Sequence, residues 1–226
     1  MIYEIKKEIE DRQISRLCHF VRTNKLLHIL NNEEGIKAVN YIDQDVLVQN
    51  DTQRLDGRKD FINCSIQFPN WWYLKRIKDN NPIFTDWAII FIDPIVATLE
   101  STEFCAVNAA KRYGAYIKKG YSAFSEIFDA RVDGFLRPTQ MLSNAATNDQ
   151  AEVLVYESIP RKYITGVAFM DKEIARQKVV EWQVLGITDI DVFIAPELFV
   201  TSTSSKIRQG QEPSIEEYME DKDETD

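Results

Sequence analysis

The residue best placed to do chemistry is Glu152, which stands where a polar segment meets an apolar one. Residues 134–151 before it are rich in Asn, Thr, Ser, Gln and Ala and predict a long, mobile loop. Residues 153–155, Val-Leu-Val, indicate a buried strand. A carboxylate on the first residue of such a strand is held rigidly at the edge of a sheet, facing a cleft beside the loop. Glu152 is therefore a candidate catalytic acid, and the alternative is a solvated glutamate on an edge strand.

The strands that must position Glu152 can be predicted from apolar patterning. They are expected at residues 14–21, 35–39, 61–68, 86–93, 151–158, 164–170 and 191–195. The strand at 86–93 lacks polar alternation, which places it in the centre of a sheet.

Helices are predicted after Thr23, over residues 70–78, over most of residues 104–128, and after Asp171. Thr23 and Asp171 are residue types that cap helix N-termini. The strands outnumber the helices and do not alternate with them strictly. The pattern therefore favours an α+β fold with a mixed or antiparallel sheet over a doubly wound fold.

Composition and charge indicate one domain with an acidic end. With 44% hydrophobic residues, the 226-residue chain can form a proper core. We expect one domain over residues 1–202 and a flexible acidic tail over residues 203–226. Residues 211–226 hold eight acidic residues and one lysine, a sum of −7, which leaves −2 of the net charge of −9 for the rest. Such a tail is typically a solvated end. The alternative is that it competes with nucleic acid for a basic groove.

Several classes of protein are disfavoured by motifs that the sequence lacks. There is no G-x-G-x-x-G, G-x-x-x-x-G-K-[ST] or H-E-x-x-H, so any nucleotide is held without a glycine-rich phosphate loop. Two histidines and no C-x-x-C argue against zinc, and no metal is expected. Cys18, Cys64 and Cys105 lie far apart in apolar surroundings and predict reduced core thiols. A charged N-terminus and the lack of a long apolar run predict a cytoplasmic protein without a membrane segment.

Four segments, in this order, resemble the DarT family of NAD-dependent DNA base ADP-ribosyltransferases, the toxins of DarT/DarG toxin–antitoxin pairs. They are Cys-His-Phe-Val-Arg-Thr-Asn at 18–24, Arg-Leu-Asp-Gly at 54–57 with Cys-Ser-Ile-Gln-Phe-Pro-Asn at 64–70, Phe-Cys-Ala-Val-Asn-Ala-Ala at 104–110, and Asn-Asp-Gln-Ala-Glu-Val-Leu-Val at 148–155. The resemblance covers roughly residues 14–200. It implies an ADP-ribosyltransferase-like fold, in which a split mixed or antiparallel sheet with flanking helices holds NAD in a central cleft.

By this resemblance Glu152 is the catalytic glutamate and residues 134–151 form the substrate-recognition loop. Cleavage of the bond between nicotinamide and ribose passes through an oxocarbenium-like state. A carboxylate near the ribose 2′-hydroxyl orients the sugar and opposes the developing positive charge. Glu157 lies on the same predicted strand, but five residues further on it faces the opposite side, so it is the poorer candidate.

The resemblance also places NAD beside the first strand. It implies that His19 contacts NAD, that the backbone of Phe20 and Val21 lies alongside, and that His28 and Ile36 are further cofactor-side positions. An imidazole at position 19 can donate a hydrogen bond to a ribose hydroxyl. The alternatives are a core histidine at position 19 and a surface helix residue at position 28.

Two further positions follow from the resemblance, one catalytic and one in the nicotinamide pocket. Arg54 matches the family arginine between cofactor and base, where it pairs with the pyrophosphate of NAD. Because arginine stays protonated in proteins, we expect it to stabilise the anion of the target base, with water or the catalytic carboxylate taking the proton. Arg58 is the neighbouring alternative. Ser65 stands where some family members carry an aromatic residue that packs on nicotinamide, so stacking must come from elsewhere, with Phe68 and Trp71 as candidates.

The expected nucleic-acid contacts combine cations, an aromatic residue and polar loop residues. They are Arg58, Trp71, Lys75, Asn148 and Gln150. Single strands are held by a positively charged groove and by stacking, and a base modified at a pairing nitrogen must be unpaired. The alternative is that the aromatic residues are core and the cations a solvated face.

Together these expectations define an NAD-dependent toxin that transfers ADP-ribose to a nucleobase in single-stranded DNA. Thymidine is favoured and guanosine is the alternative base. The resemblance further implies a macrodomain antitoxin partner similar to DarG. Two other functions stay open at this point: an ADP-ribosyltransferase that acts on protein or RNA, and an inactive module that binds NAD or nucleic acid.

Overall fold

The protein is described here by a computed structural model that covers residues 2–42, 55–80, 83 and 85–219. Its α-helices are α1 Ile2–Asp11, α2 Leu26–Leu30, α3 Trp71–Asn80, α4 Tyr121–Glu126, α5 Lys172–Val184 and α6 Thr203–Arg208. Its strands are β1 Leu17–Arg22, β2 Ile36–Lys37, β3 Phe61–Ile66, β4 Trp87–Ile92, β5 Glu103–Cys105, β6 Lys118–Lys119, β7 Arg131–Val132, β8 Phe135–Leu136, β9 Glu152–Tyr156, β10 Ser158–Ile159, β11 Ile164–Phe169, β12 Asp191–Ile194 and β13 Glu216–Glu217.

Nine of the described strands form one mixed sheet in the order β13-β12-β11-β4-β1-β3-β9-β5-β6. β11 and β12 run parallel and are joined by α5, while the other neighbours in this sheet pair antiparallel. β4 lies between β1 and β11, and all of its residues are buried. This confirms the α+β fold with a mixed sheet and the interior position predicted for residues 86–93.

The continuous apolar sequence of β4 is explained by the two hydrophobic cores that it joins. Ile90 and Ile92 belong to a core that includes α1, α4 and α5, and Ile89 and Phe91 belong to a core that includes α3 and α6. A strand that is covered on both faces needs no polar alternation. The sheet is thus flanked by helices, as expected.

The sheet divides between β1 and β3, and this division creates the functional cleft. β1 pairs with β4 along all six of its residues, but it pairs with β3 only at Leu17 opposite Ile66 and Cys18 opposite Ser65. Beyond these two pairs β3 turns instead to β9, which it follows through Phe61–Tyr156 to Cys64–Val153. The second half of β1 and the first half of β3 therefore diverge and leave an opening in the middle of the sheet.

Helix capping was predicted correctly at one of the two positions. The Asp171 carboxylate accepts hydrogen bonds from the backbone N–H groups of Glu173 and Ile174 at the start of α5, and Ala175 and Trp182 of that helix are buried. The prediction for Thr23 is wrong, because Thr23 is buried inside a 3₁₀ turn and no side chain caps α2.

Residues 104–128 are not mostly helical. Phe104 and Cys105 are buried in β5, where cross-strand packing against β9 outweighs local helix propensity. Positive φ angles at Arg112, Tyr113 and Gly114 then interrupt any helix, and only α4 is helical.

The predicted tail beyond residue 202 begins with structured chain. Thr203 and Ile207, four residues apart on α6, are buried, and Glu216 and Glu217 form β13, which pairs with β12. The fold therefore continues to Met219, because a short apolar stripe anchors α6 despite the acidic composition. Residues 220–226 lie outside the described part of the chain. Within that part no helix is long and apolar enough to cross a membrane.

Candidate active site

The cleft at the divided sheet brings together two carboxylates, those of Asp56 and Glu152, and all six predicted cofactor-side residues that the structure describes. It has a volume of about 230 Å³. Its lining includes His19, Phe20, Val21, His28, Ile36, Ser65 and Glu152. Arg54, the remaining predicted residue of this group, lies outside the described residues. The sequence segments 18–24, 64–70 and 104–110 meet here although they are far apart in the chain.

Glu152 is the first residue of β9, as predicted, and it is 7% exposed. β5 and β3 flank β9, so the carboxylate is reached from both sides. One oxygen accepts hydrogen bonds from Asn108 Nδ2 and from the Ala109 backbone N–H, both at 3.1 Å. The other accepts from Asn63 Nδ2. Glu152 is therefore a buried, firmly oriented acceptor and not a solvated edge residue. Glu157, by contrast, is exposed and has a positive φ angle just after the strand.

Asn63 on β3 connects three parts of the cleft. It pairs with Leu154, so its side chain shares a face with Glu152. Its Nδ2 donates to Glu152 and also to Asp56 Oδ2 at 3.1 Å. Its backbone carbonyl lies 2.9 Å from His19 Nδ1. Since both neighbours of the amide are carboxylates, only the nitrogen can face them, which fixes the orientation of the side chain.

Asn108 is fixed in the same way on the other side of Glu152. Its Oδ1 accepts from the backbone N–H of Ala110 at 3.1 Å, which leaves Nδ2 to face the carboxylate. Two amides and one backbone N–H therefore surround Glu152, all of them donors. Hydrogen bonds from donors stabilise the ionised form of a carboxylate. Asn63 and Asn108 were missed at the sequence level, although they lie in the family-like segments or beside them.

The contact of His19 defines its protonation pattern. A carbonyl oxygen only accepts, so His19 Nδ1 carries the hydrogen in its bond to Asn63. This contact fixes the orientation of the imidazole ring. The same contact connects β1 with β3 across the cleft.

The cleft contains an aromatic residue and two cations that were not predicted to lie on its cofactor side. Tyr73 packs on Phe20 with ring centroids 5.7 Å apart, and the Arg76 guanidinium lies 4.8 Å from the Tyr73 centroid. Both line the cleft, as does Lys25. Because helical residues are 100° apart, three consecutive aromatic residues on α3 must separate, and it is Tyr73 that turns inward. That helical spacing was the available signal.

The two aromatic residues proposed to replace stacking at Ser65 do not reach the cleft. Phe68 and Trp71 stack on each other at 6.3 Å, and Trp71 is 3% exposed in the second core. Phe20, Phe61 and Tyr73 are aromatic residues that line the cleft. Stacking at this pocket is therefore available from β1, β3 and α3.

None of the five predicted DNA-contacting residues lines the cleft. Trp71 is core, and Lys75 is paired with Asp79 on an exposed helix turn. Arg58 pairs with Glu103 at 3.2 Å. Asn148 is buried, and its Oδ1 accepts from the backbone N–H of Gln150 at 3.0 Å, which shapes the turn before β9.

Residues 134–151 are irregular chain apart from β8, which agrees with the predicted loop, and hydrogen bonds from two arginines hold them. The Arg137 guanidinium donates to three backbone carbonyls and one hydroxyl of the segment, those of Leu142, Ser143, Ala145 and Thr147. Arg208 of α6 adds bonds to the carbonyls of Leu136 and Thr147. Burial lowers the pKa of the Arg137 guanidinium from its usual value. The segment that delivers Glu152 to its strand is therefore built around two arginines.

The cysteines are buried free thiols, as predicted. Burial raises the pKa of Cys18 to about 12 and that of Cys105 to about 11, so both stay protonated near neutral pH. Among the described residues no three His, Cys, Asp or Glu side chains are grouped as metal ligands.

The fold of the chain is similar to that of solved DarT structures. Thermosipho africanus DarTG in complex with ADP-ribose superposes with a TM-score of 0.60 at 17% identity, over 82% of this chain and 51% of that one. Thermus sp. 2.9 DarT in complex with NAD+ gives 0.58 at 14%, over 83% and 98%. The same Thermus protein in complex with ADP-ribosylated ssDNA gives 0.58 at 13%, over 83% and 97%. The chain thus spans about half of the Thermosipho protein and nearly all of the Thermus protein, and it has an ADP-ribosyltransferase-like fold.

The particular family is identified by the sequence itself. The model of the family described as "ssDNA thymidine ADP-ribosyltransferase, DarT" matches residues 18–200, most of the chain. The protein therefore belongs to the DarT family, as its sequence segments predicted. No curated protein matches it.

Proposed function

We propose that the protein transfers ADP-ribose from NAD to thymidine in single-stranded DNA and that Glu152 is its catalytic residue. The observation that carries the proposal is the position of Glu152: a buried carboxylate, held by three donors, in the cleft of a DarT-family chain. Guanosine is the alternative base.

The residues of the cleft fit NAD in chemical type. NAD supplies the ADP-ribosyl group, and nicotinamide is its leaving group. Lys25 and Arg76 provide positive charge for the pyrophosphate, in addition to the part proposed for Arg54. Phe20 and Tyr73 provide faces on which a planar ring can stack. His28 and Ile36 complete the cofactor side, with Ser65 at the point where β1 and β3 separate.

Glu152 acts on the ribose next to nicotinamide. Its ionised carboxylate accepts a hydrogen bond from the 2′-hydroxyl and opposes the positive charge that develops as the glycosidic bond breaks. Asn63 and Asn108 keep it ionised and aimed, so little reorganisation is needed at the moment of reaction. Nε2 of His19 forms a hydrogen bond with a second ribose hydroxyl, and this contact orients the sugar.

The target base must lose a proton. The ring nitrogen N3 of thymidine carries its only ring N–H; a bond forms from N3 to the anomeric carbon while the bond to nicotinamide breaks. Arg54 stays protonated and stabilises the anionic base, and Glu152 or water takes the proton. Because N3 is used in base pairing, the base must be unpaired, which favours single-stranded substrate.

A macrodomain antitoxin similar to DarG is the expected partner. The solved Thermosipho structure is named DarTG, and this chain spans about half of it. Unopposed modification of thymidine interferes with pairing, so the protein acts as a toxin. We place it in the cytoplasm, where NAD and DNA are both present.

The proposal is tested by incubating the protein with NAD labelled in the ADP-ribose moiety and a set of acceptors. We expect label on single-stranded oligonucleotides that contain thymidine, and little on the same sequences with thymidine replaced or annealed into duplex. Label on RNA or protein alone identifies a different acceptor and contradicts the proposal. A rise in melting temperature with NAD but no nicotinamide released identifies an inactive binding module.

A further inference from the structure

One stretch of this acidic protein contains no acidic residue. Of 226 residues 36 are Asp or Glu, yet residues 104–125 contain none and carry four cations and three tyrosines. The cations are Lys111, Arg112, Lys118 and Lys119, and Tyr113, Tyr116 and Tyr121 lie among them. Cations that alternate with aromatic residues are typical of surfaces that hold single-stranded nucleic acid. We call residues 111–119 the basic-aromatic segment.

The backbone of this segment turns its side chains outward. Arg112 and Tyr113 have φ angles of 49° and 56°, and Gly114 follows at 85°. Left-handed φ angles at consecutive non-glycine residues are energetically unfavourable. The conformation leaves Tyr113 83% exposed, and it places Lys111 and Arg112 each 5.9 Å from the centroid of the Tyr116 ring. Aromatic faces and positive charge are thus presented to solvent side by side.

The basic-aromatic segment is attached directly to the catalytic end of the cleft. Asn108 and Ala109, which hold the Glu152 carboxylate, precede its first residue by three and two positions. Gly114 lies against the loop that carries Asp56, and a Cβ at Gly114 would lie 2.6 Å from the Asp56 carbonyl oxygen. The segment therefore forms a rim next to the reacting atoms.

Arg58 joins the same rim through a shared carboxylate. Glu103 pairs with Arg58 at 3.2 Å and with Lys119 at 3.7 Å. Lys111 and Lys118 also have carboxylate partners, Asp133 and Glu126. These pairs are solvent-exposed on the cation side and contribute little to stability, so the cations can turn to phosphates.

We propose that the single-stranded DNA on either side of the target thymidine lies across the basic-aromatic segment. This rests on the proposed function and names the surface that its substrate uses. Bases stack on Tyr113 and Tyr116, and Lys111, Arg112 and Lys119 pair with the phosphates. The exposed side chains of α3 instead contact other residues of the protein. Trp72 donates a hydrogen bond to Asp149, and Lys75 pairs with Asp79.

The test compares two double variants at exposed positions with matched controls elsewhere. Tyr113→Ala with Tyr116→Ala removes the stacking faces, and Lys111→Gln with Arg112→Gln removes two charges. Tyr3→Ala and Lys6→Gln are the controls, since Tyr3 on α1 is 75% exposed and Lys6 is exposed on the same helix. Binding of a fluorescent thymidine-rich oligonucleotide is measured by anisotropy over a range of salt, and NAD binding is measured in parallel.

We expect the tyrosine variant to bind the oligonucleotide about tenfold or more weakly. The charge variant should reduce the slope of log affinity against log salt by about 1.4, the value for two phosphate contacts on a single strand. NAD binding should stay unchanged in both, which shows that the cleft is intact. Unchanged oligonucleotide affinity and salt slope in both variants overturn the surface assignment.

The outcome for the surface is separable from the outcome for the reaction. Wild-type protein that labels DNA, together with variants of unchanged affinity, overturns the surface and leaves the proposed function standing. Wild-type protein that binds the oligonucleotide through this segment but labels no acceptor overturns the proposed function and leaves the surface standing. Wild-type protein that does not bind single-stranded DNA at all overturns the surface.

Discussion

The predicted cofactor side of the cleft and the proposed DNA-binding rim are built from different kinds of backbone. On the cofactor side, His19, Phe20, Val21 and Ser65 lie on β1 and β3, and their directions follow from strand pairing. The rim consists of irregular chain, residues 106–117 and 137–151, with side chains directed by distant hydrogen bonds. The direction of a side chain on a strand can be predicted from the alternation along the strand, whereas its direction on irregular chain is known only from the folded structure. This difference explains why the predicted cofactor residues meet in the cleft, whereas Asn148 and Gln150, the predicted DNA contacts on irregular chain, do not.

The largest expected effect lies where the two sides meet, at Glu152. Glu152→Gln keeps the size of the side chain but removes its charge and turns an amide nitrogen toward donors. We expect kcat for ADP-ribosyl transfer to fall about 100- to 1000-fold, because a preorganised electrostatic partner of the transition state is lost. Glu157→Gln, exposed at the end of the same strand, is the matched control and should retain full activity. Equal rates for the two variants would contradict the role of Glu152.

The next largest effect is expected at Asn63, which contacts both His19 and Glu152. Asn63→Ala removes a hydrogen bond to a charged group, and the expected loss in kcat is roughly 10- to 100-fold. Asn63→Asp adds a carboxylate beside Asp56 and Glu152. Like charges raise carboxyl pKa values, so the acid limb of the pH–rate profile should move to higher pH.

Asn40 provides the control for Asn63. Its amide also donates to a carboxylate, that of Asp60, but on an exposed surface. Asn40→Asp should leave the pH–rate profile in place. A profile that stays the same in Asn63→Asp would show that Asn63 has a purely structural role.

A smaller effect, mainly on stability, is expected on the rim at Arg137. Arg137→Ala removes the donors that hold residues 142–147 and leaves part-buried carbonyls unpaired. A loss of about 2 to 3 kcal/mol would lower the melting temperature by roughly 5 to 10 °C. Arg131→Ala, at an exposed position nearby in the chain, should have little effect. Thermal unfolding followed by circular dichroism measures the melting temperatures of both variants. An unchanged melting temperature in Arg137→Ala would show that Arg137 does not stabilise this segment.

The smallest effect is expected at Tyr73 on the cofactor side. Tyr73→Ala removes the contacts with Phe20 and Arg76, and NAD affinity should fall roughly 3- to 10-fold. Its sequence neighbour Trp72 is 48% exposed and directed to Asp149, so Trp72→Ala should leave NAD affinity unchanged. Isothermal titration calorimetry with NAD measures the affinity of both variants. An equal loss of NAD affinity in Tyr73→Ala and Trp72→Ala would mean that α3 does not orient its aromatic residues as described.

Sequence alone predicted what depends on strands and on motif chemistry. The central position of β4, the placement of Glu152 at the start of β9 and the Asp171 cap all follow from local patterns. The fold and the family followed from the short ordered motifs, and the family model confirms them.

The remaining features depend on contacts between distant residues. Residues 104–128 read as helical because nothing local shows that β5 pairs with β9. Asn63 and Asn108 are ordinary asparagines until folding places Glu152 between them. Trp71 was misplaced because composition does not reveal which of three consecutive aromatic residues faces the core.

The most direct test is a crystal structure of the protein with a non-cleavable NAD analogue. We expect the ribose next to nicotinamide to lie in the cleft of the divided sheet, with its 2′-hydroxyl within hydrogen-bonding distance of the Glu152 carboxylate and with His19 Nε2 on the same side of the ligand. An analogue bound elsewhere, or bound in the cleft with that ribose out of reach of Glu152, would contradict it.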